Sequence, residues 1–502
     1  MKELSELLQK LKLDAEQTKT LDFNVADSII TALQSKQDPL DDTTIEGILE
    51  MILVLLAIDH TPRNKAKVLM LIAEIAKSEE TRVPCVKAGL ISTLLSHLES
   101  EELSVVLQAL RAIGNISYEN EQAKSVLLEC QGAEKIVKKL GDLEKNFDEK
   151  SDNRIELAAC GSLLNVASDD GALADEAVSF GAISFLFGFV KQSVHSNPNL
   201  CQMALSALSV LVSSDKGKES FLEGEGVAIL RMVLEESDDD ELIDLGFEIV
   251  TSLILDDNVK KALVKQGYTE YLLKVVSSLK DEKNDELAKQ RVQSSADIIV
   301  MLLTEDESMK VLFGDGNGAV LKAYENCIKL VEIGAHEKLL DLLARTSRSE
   351  DPGRRQQAVF SALKNLSMPA SNKVKLVESG CLDVILPLLS TSPFVQFKVL
   401  EISEQVIKFG GLTPIIEMFR DSGLIQTLIK LIKTQGINPQ TCYNAMAVLE
   451  SFSLKEYFHR DLEVAGLNKA LDDLTSHDNA NVKKRALIIL TRIKAQKIAQ
   501  QD

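Results

Sequence analysis

Apolar residues recur along this chain at the i, i+3, i+4, i+7 spacing of an amphipathic helix. No segment of useful length shows the period of two that a half-buried strand requires. One unit repeats: an apolar residue, a small or polar pair, a glycine, then an amphipathic segment ending in bulky aliphatics. It reads KAGLISTLLSHL at Gly89, CQGAEKIVKKL at Gly132, SFGAISFLFGFV at Gly181, GEGVAILRMVL at Gly226 and KQGYTEYLLKVV at Gly267. It continues as NGAVLKAY at Gly318, IGAHEKLLDLL at Gly334, ESGCLDVILPLL at Gly380, DSGLIQTLIKLI at Gly423 and VAGLNKALDDL at Gly466. Each glycine is placed to take the left-handed conformation that ends one helix and turns the chain into the next. In the unit at Gly89 the buried stripe is Leu90, Leu94, Leu95 and Leu98, and Glu99 to Glu102 form a polar hinge. The next helix, Val105 to Ile116, is apolar on several sides, as a helix packed between neighbours must be.

Successive glycines are mostly about 41–51 residues apart, the period of armadillo and HEAT arrays. The pattern predicts an all-α fold, a right-handed superhelical solenoid of armadillo repeats, in which stacking supplies the core that one repeat lacks. Capping helices are expected over 1–45, the array over 46–496 and a frayed tail over 497–502. Segments 145–153 and 279–290 are expected as long inter-helix loops. Two stretches break the period. Gly318 and Gly334 are only 16 residues apart, and Gly411 falls inside an interval, leaving irregular or incomplete repeats near 318–334 and 400–423.

Charge narrows the function. The 502 residues carry 56 Lys+Arg against 76 Asp+Glu, a net −20. Such a chain repels phosphate backbones and favours basic partners, and no basic stripe for nucleic acid is read from it. The amphipathic start MKELSELLQKLKL is not a signal peptide, and the longest apolar run, Met51 to Ile58, is too short to span a bilayer. The seven cysteines form no CxxC pair and lie in apolar stretches, as buried reduced thiols of a cytoplasmic protein do. No two histidines lie at i, i+4, and no Walker loop, GxGxxG strand-turn or GxSxG elbow is present. GDGNG at Gly314 to Gly318 lacks the following Lys-Ser/Thr and reads as a helix-ending turn. No enzyme, cofactor or metal site is expected.

What remains is a binding surface on the third helix of each repeat. Aligned on the following hinge, these helices place Asn115, Asn165 and Asn365 at one ladder position. There an Asn either offers a donor and an acceptor to a partner or braces its own backbone. Four residues earlier, on the same helix face, stand Glu248 and Asp297, expected to form an acidic patch in adjacent repeats. The absence of Trp argues against an importin-α-type groove, which reads basic peptides through paired Trp and Asn.

Several long strings resemble the smg GDP dissociation stimulator family, armadillo-repeat exchange factors and chaperones of small GTPases. They are AEIAKSEETRVPCVKAGLISTLLSHLES (Ala73 to Ser100), DESMKVLF (Asp306 to Phe313), SALKNLSMPASNKVKL (Ser361 to Leu376) and SPFVQFKVL (Ser392 to Leu400). The similarity covers roughly residues 1 to 400 and is weaker beyond. It implies binding of Rho-, Rac- and Ras-like GTPases whose C-termini are polybasic and prenylated. It also implies an acidic groove for the tail, an apolar cleft between N-terminal repeats for the lipid, and C-terminal repeats that loosen GDP. By position Glu248 and Asp297 match the acidic patch, and Lys364 with Asn365 the switch-binding surface. The family has a complete repeat where this chain passes from Gly318 to Gly334, and the region after Leu400 is shorter. A non-exchanging scaffold for basic peptides and a pure prenyl-tail chaperone therefore stay open. The expected protein is a cytoplasmic monomer, with the nucleus also allowed, without nucleic-acid binding or stable membrane insertion.

Overall fold

A computed structural model describes residues 28–31, 41–57, 61–278, 286–303, 322–346, 353–390, 399–400, 402–403, 420–434 and 436–499. Among these the regular structure is helical, with no strand. The chain divides into two compact units, Met1–Ala262 and Leu263–Asp502.

Within the first unit the helices recur in threes. The first helices are Glu79–Lys87, Glu121–Glu129, Gly171–Ser179 and Asp215–Glu223. The second are Leu90–Ser96, Gly132–Lys145, Ala182–Ser193 and Gly226–Glu236. The third are Pro62–Ile75, Leu103–Ser117, Arg154–Ala167, Pro198–Leu211 and Asp240–Leu253. Third helices pack consecutively on one another, as do first helices and, from Gly132–Lys145 onward, second helices, which gives three rows. Short polar side chains start many of them. Asp41, Thr61, Asn120, Asp170, Asn197, Ser214 and Asp239 each accept from a backbone N–H of the first turn that has no partner within the helix.

The left-handed joint between first and second helices is observed at Gly89, Gly181, Gly267, Gly334, Gly380, Gly423 and Gly466, with φ between 66° and 87°. Gly132 and Gly226 depart from the expectation. There the preceding residues, Gln131 (φ 55°) and Glu225 (φ 66°), take the left-handed conformation, and the glycine opens the second helix. The reason is space. A Cβ on Gly132 would lie 2.5 Å from Leu127 Cδ2, and one on Gly226 would lie 2.4 Å from the Phe221 ring. At these joints glycine is required for close approach, and a non-glycine residue carries the backbone strain, on the order of 1 kcal/mol. The stripe Leu90, Leu94, Leu95, Leu98 is buried, as are most positions from Val105 to Ile116. The loop after Lys145 runs to Asn153.

In the second unit Glu286–Leu303 packs directly on Gly353–Leu366, and Tyr268–Ser278 on Ala335–Thr346. Within this unit no other third helix lies between Glu286–Leu303 and Gly353–Leu366 among the described residues; Gly314, Gly318 and Gly411 themselves lie outside the described residues. Of the loop expected at 279–290, residues 286–290 are helical instead. Toward the ends, one described helix begins at Asp42 and the last ends at Ala499. No single described helix is long and apolar enough to cross a membrane.

Candidate functional site

The third-helix row of the first unit is tied together by its ladder residues. Asn115 Nδ2 donates to the Ala73 carbonyl at 2.8 Å, and Asn165 Nδ2 donates to the Gly114 carbonyl at 3.1 Å. The two acceptors are equivalent, each one residue before the ladder position of the preceding helix. Gly114 lets the helices approach: a Cβ there would lie 3.1 Å from Ser162 Cα. Both Asn side chains are half-buried. They brace the neighbouring repeat rather than their own backbone, and the carboxamide oxygen is the group left for a partner.

The same position on Pro62–Ile75 holds Glu74, a residue the sequence pattern did not single out. Its side chain is buried and accepts from Lys77 Nζ at 2.6 Å and Arg111 Nη2 at 2.8 Å. Arg111 also donates to Gln108 Oε1 at 2.8 Å. Burial alone would raise the Glu74 pKa, but the hydrogen bonds from Lys77 and Arg111 outweigh it and hold the carboxyl below its ordinary value. At this end of the row the charges answer one another.

The Asp240–Leu253 helix is the opposite case. Asp239 caps it by accepting from the Glu241 and Leu242 N–H groups, and Asp240 and Glu241 in the first turn suit the positive end of the helix dipole. Leu242, Ile243, Phe247, Ile249, Val250 and Leu253 face inward. Glu241, Asp244 and Glu248, at i, i+3 and i+7, share the other face. Glu241 accepts from Gln202 Nε2 of the preceding third helix at 3.3 Å. Glu248 is exposed and makes no hydrogen bond or ion pair among the described residues. From Glu235 to Asp257 the chain has ten acidic residues and no Lys or Arg. The Glu248 carboxylate is therefore solvated, on a segment that carries only negative charge.

The remaining predicted residues lie in the second unit. Asp297 is half-buried on Glu286–Leu303 and already engaged within the protein. The expected pairing of Asp297 with Glu248 joins residues of different units, and each is described in its own. Lys364 and Asn365 are both half-buried at the end of Gly353–Leu366, and Lys364 is engaged. The Asn365 carbonyl accepts from Cys327 Sγ at 3.4 Å, while its carboxamide makes no hydrogen bond among the described residues. Burial pushes Cys85, Cys201 and Cys381 up to about 12 and Cys442 up to about 11. Cys130 is only half-buried, contrary to the expectation for all seven.

Residues 78–118 match the armadillo/beta-catenin-like repeat family. The chain is 32% identical over 432 residues to Rap1 GTPase-GDP dissociation stimulator 1-A of Xenopus laevis, covering 80% of this chain and 70% of that protein. It is 28% identical over 539 residues to the 1-B protein of the same organism, covering 100% of this chain and 87% of that one. It is 26% identical over 466 residues to the GTPase-GDP dissociation stimulator vimar of Drosophila melanogaster, covering 86% and 71% respectively. Among solved structures, an engineered protein of the Northeast Structural Genomics Consortium is similar with a TM-score of 0.59 at 22% identity. That likeness, over 91% of this chain and 99% of the other, bears on the fold alone.

Proposed function

The chain belongs to the GTPase-GDP dissociation stimulator family of armadillo-repeat proteins, and from that premise we propose that it binds a small GTPase and stimulates release of its GDP. The observation that carries the finer reading is the acidic face of Asp240–Leu253, with Glu248 exposed and uncommitted and Glu241 exposed beside it. A polybasic C-terminal tail, as on Rho-, Rac- and Ras-like GTPases, is the partner whose charge fits. Exposed pairs contribute only about 0.2–1 kcal/mol each, so several must act together and the affinity must fall with salt. A prenyl group on that tail adds roughly 0.8 kcal/mol per buried methylene. The partner-facing groups of the rows are then the Asn115 and Asn165 carboxamide oxygens in the first unit, with Asp297 serving the basic tail and Asn365 and Lys364 the GTPase body in the second.

The mechanism is non-covalent. The repeat surface binds more tightly to a GTPase whose switch regions are displaced, a state that holds GDP weakly, and nucleotide release follows from that difference in affinity. No side chain of this chain needs to touch the nucleotide. One observation favours a second reading, a chaperone or scaffold without exchange activity: Glu286–Leu303 stacks directly on Gly353–Leu366, with no groove helix between them among the described residues. Release of fluorescent GDP from a Rho-type GTPase, measured with and without its tail and beside direct binding, tests both. Tail-dependent acceleration supports exchange. Binding without acceleration supports the second reading, and absence of binding overturns both.

A further inference from the structure

The final helix, Ala480–Ala499, has a charge opposite to that of the chain. From Asn479 to Gln500 there are six Lys or Arg residues and no Asp or Glu, in a protein of net charge −20. This is a basic stripe that the whole-chain balance conceals. Two of its cations turn inward. Arg485 Nη2 binds Glu450 at 2.8 Å, with its guanidinium 4.4 Å from the centre of the Tyr443 ring, and Arg492 binds the same carboxylate. Val482, Ala486, Ile489 and Leu490 are buried, in a helix that packs on Pro439–Ser453 and Leu467–Leu474.

The outer face is built differently. Lys483, Lys484 and Lys494 are exposed, and their side chains make no ion pair or hydrogen bond among the described residues. Between them Leu487 is 46% and Ile488 45% exposed. Residues 483/484, 487/488, 491 and 494 follow helical spacing along one face. Two adjacent exposed aliphatics are thus framed by three exposed ammonium groups. Exposed cations beside exposed aliphatics suit a membrane surface, where each Lys near an anionic leaflet contributes about 1 kcal/mol.

We propose that this face docks on the surface of an anionic bilayer, with Lys483, Lys484 and Lys494 at the phosphate level and Leu487 and Ile488 pressed into the interface. A second copy docked through the same face would oppose like charges. The proposal is independent of GTPase binding, because the chain alone carries the surface.

The test uses the full chain without GTPase, in flotation with vesicles of phosphatidylcholine alone and of phosphatidylcholine with phosphatidylserine. Binding is expected only to the phosphatidylserine vesicles and is expected to fall with salt. The triple variant Lys483→Gln/Lys484→Gln/Lys494→Gln should bind on the order of 100-fold more weakly, about five-fold per charge. Leu487→Ser/Ile488→Ser should also weaken binding. All five positions are exposed, and circular dichroism checks that both variants stay folded. Equal binding to neutral vesicles, absence of binding, or an unaltered triple variant overturns the proposal. So does competition by duplex DNA together with an unaffected Leu487→Ser/Ile488→Ser variant, which marks a polyanion site.

Discussion

Replacing Gly226 with alanine is expected to destabilise the first unit, although alanine is the better helix former. The added Cβ would sit 2.4 Å from Cδ2 and Cε2 of Phe221 and 2.6 Å from its Cγ. Phe221 is fully buried, and its ring packs edge-on against Phe187 with centroids 5.8 Å apart. The ring cannot retreat without moving that partner, so the change is an overpacking of the core, which costs about 1–3 kcal/mol. The entropic advantage of alanine over glycine, roughly 0.5–1 kcal/mol, offsets part of this. A net loss of about 1–2 kcal/mol is expected. Gly171→Ala is the control: Gly171 also opens a helix, and its Cβ would meet nothing within 4 Å. That variant should be neutral or slightly more stable. Urea unfolding followed by circular dichroism reads the difference, with the two units fitted as separate transitions. If Gly226→Ala proves as stable as Gly171→Ala, glycine is not required at that joint by contact with Phe221.

Two further outcomes are expected from the same geometry. Asn165→Ala removes the bond to the Gly114 carbonyl and should cost about 1 kcal/mol in the same unfolding assay; unchanged stability would return this Asn to a purely partner-facing role. His336 is buried in the second unit. Burial lowers its pKa from 6.5, Glu337 opposes that and Lys375 adds to it. The unfolded chain therefore takes up this proton first. The stability that depends on neutral His336 is complete above about 6.5 and is lost as pH falls from there through the lowered folded value. His336→Gln should flatten that part of the stability–pH curve, and an unchanged curve would show that other groups set it.

The fold was legible because a solenoid writes its period into its sequence. Helical spacing within each unit and a glycine at each joint are local features, and the predicted stripe at Leu90 to Leu98 needed no knowledge of distant residues. The exceptions were not local. That Gly132 and Gly226 serve contact rather than conformation depends on Leu127 and Phe221, whose packing spacing alone does not reveal. The face carrying Asn115 and Asn165 was legible, but their acceptors lie 42 and 51 residues away on the preceding repeat. Glu74 was missed because its meaning rests on Arg111 crossing from the next helix. An acid-free window would have revealed the basic final helix, which the net charge averaged away.

The central claim is that the acidic face of Asp240–Leu253 draws in the basic tail of a GTPase and that release of GDP follows. The most direct measurement is the rate of GDP release from a Rho-type GTPase carrying its polybasic tail, with the native chain and with Glu241→Lys/Glu248→Lys. The account expects the native chain to accelerate release from the tailed GTPase, and expects tail removal or charge reversal to abolish most of that gain, more so at low salt. Acceleration that survives both changes would contradict it.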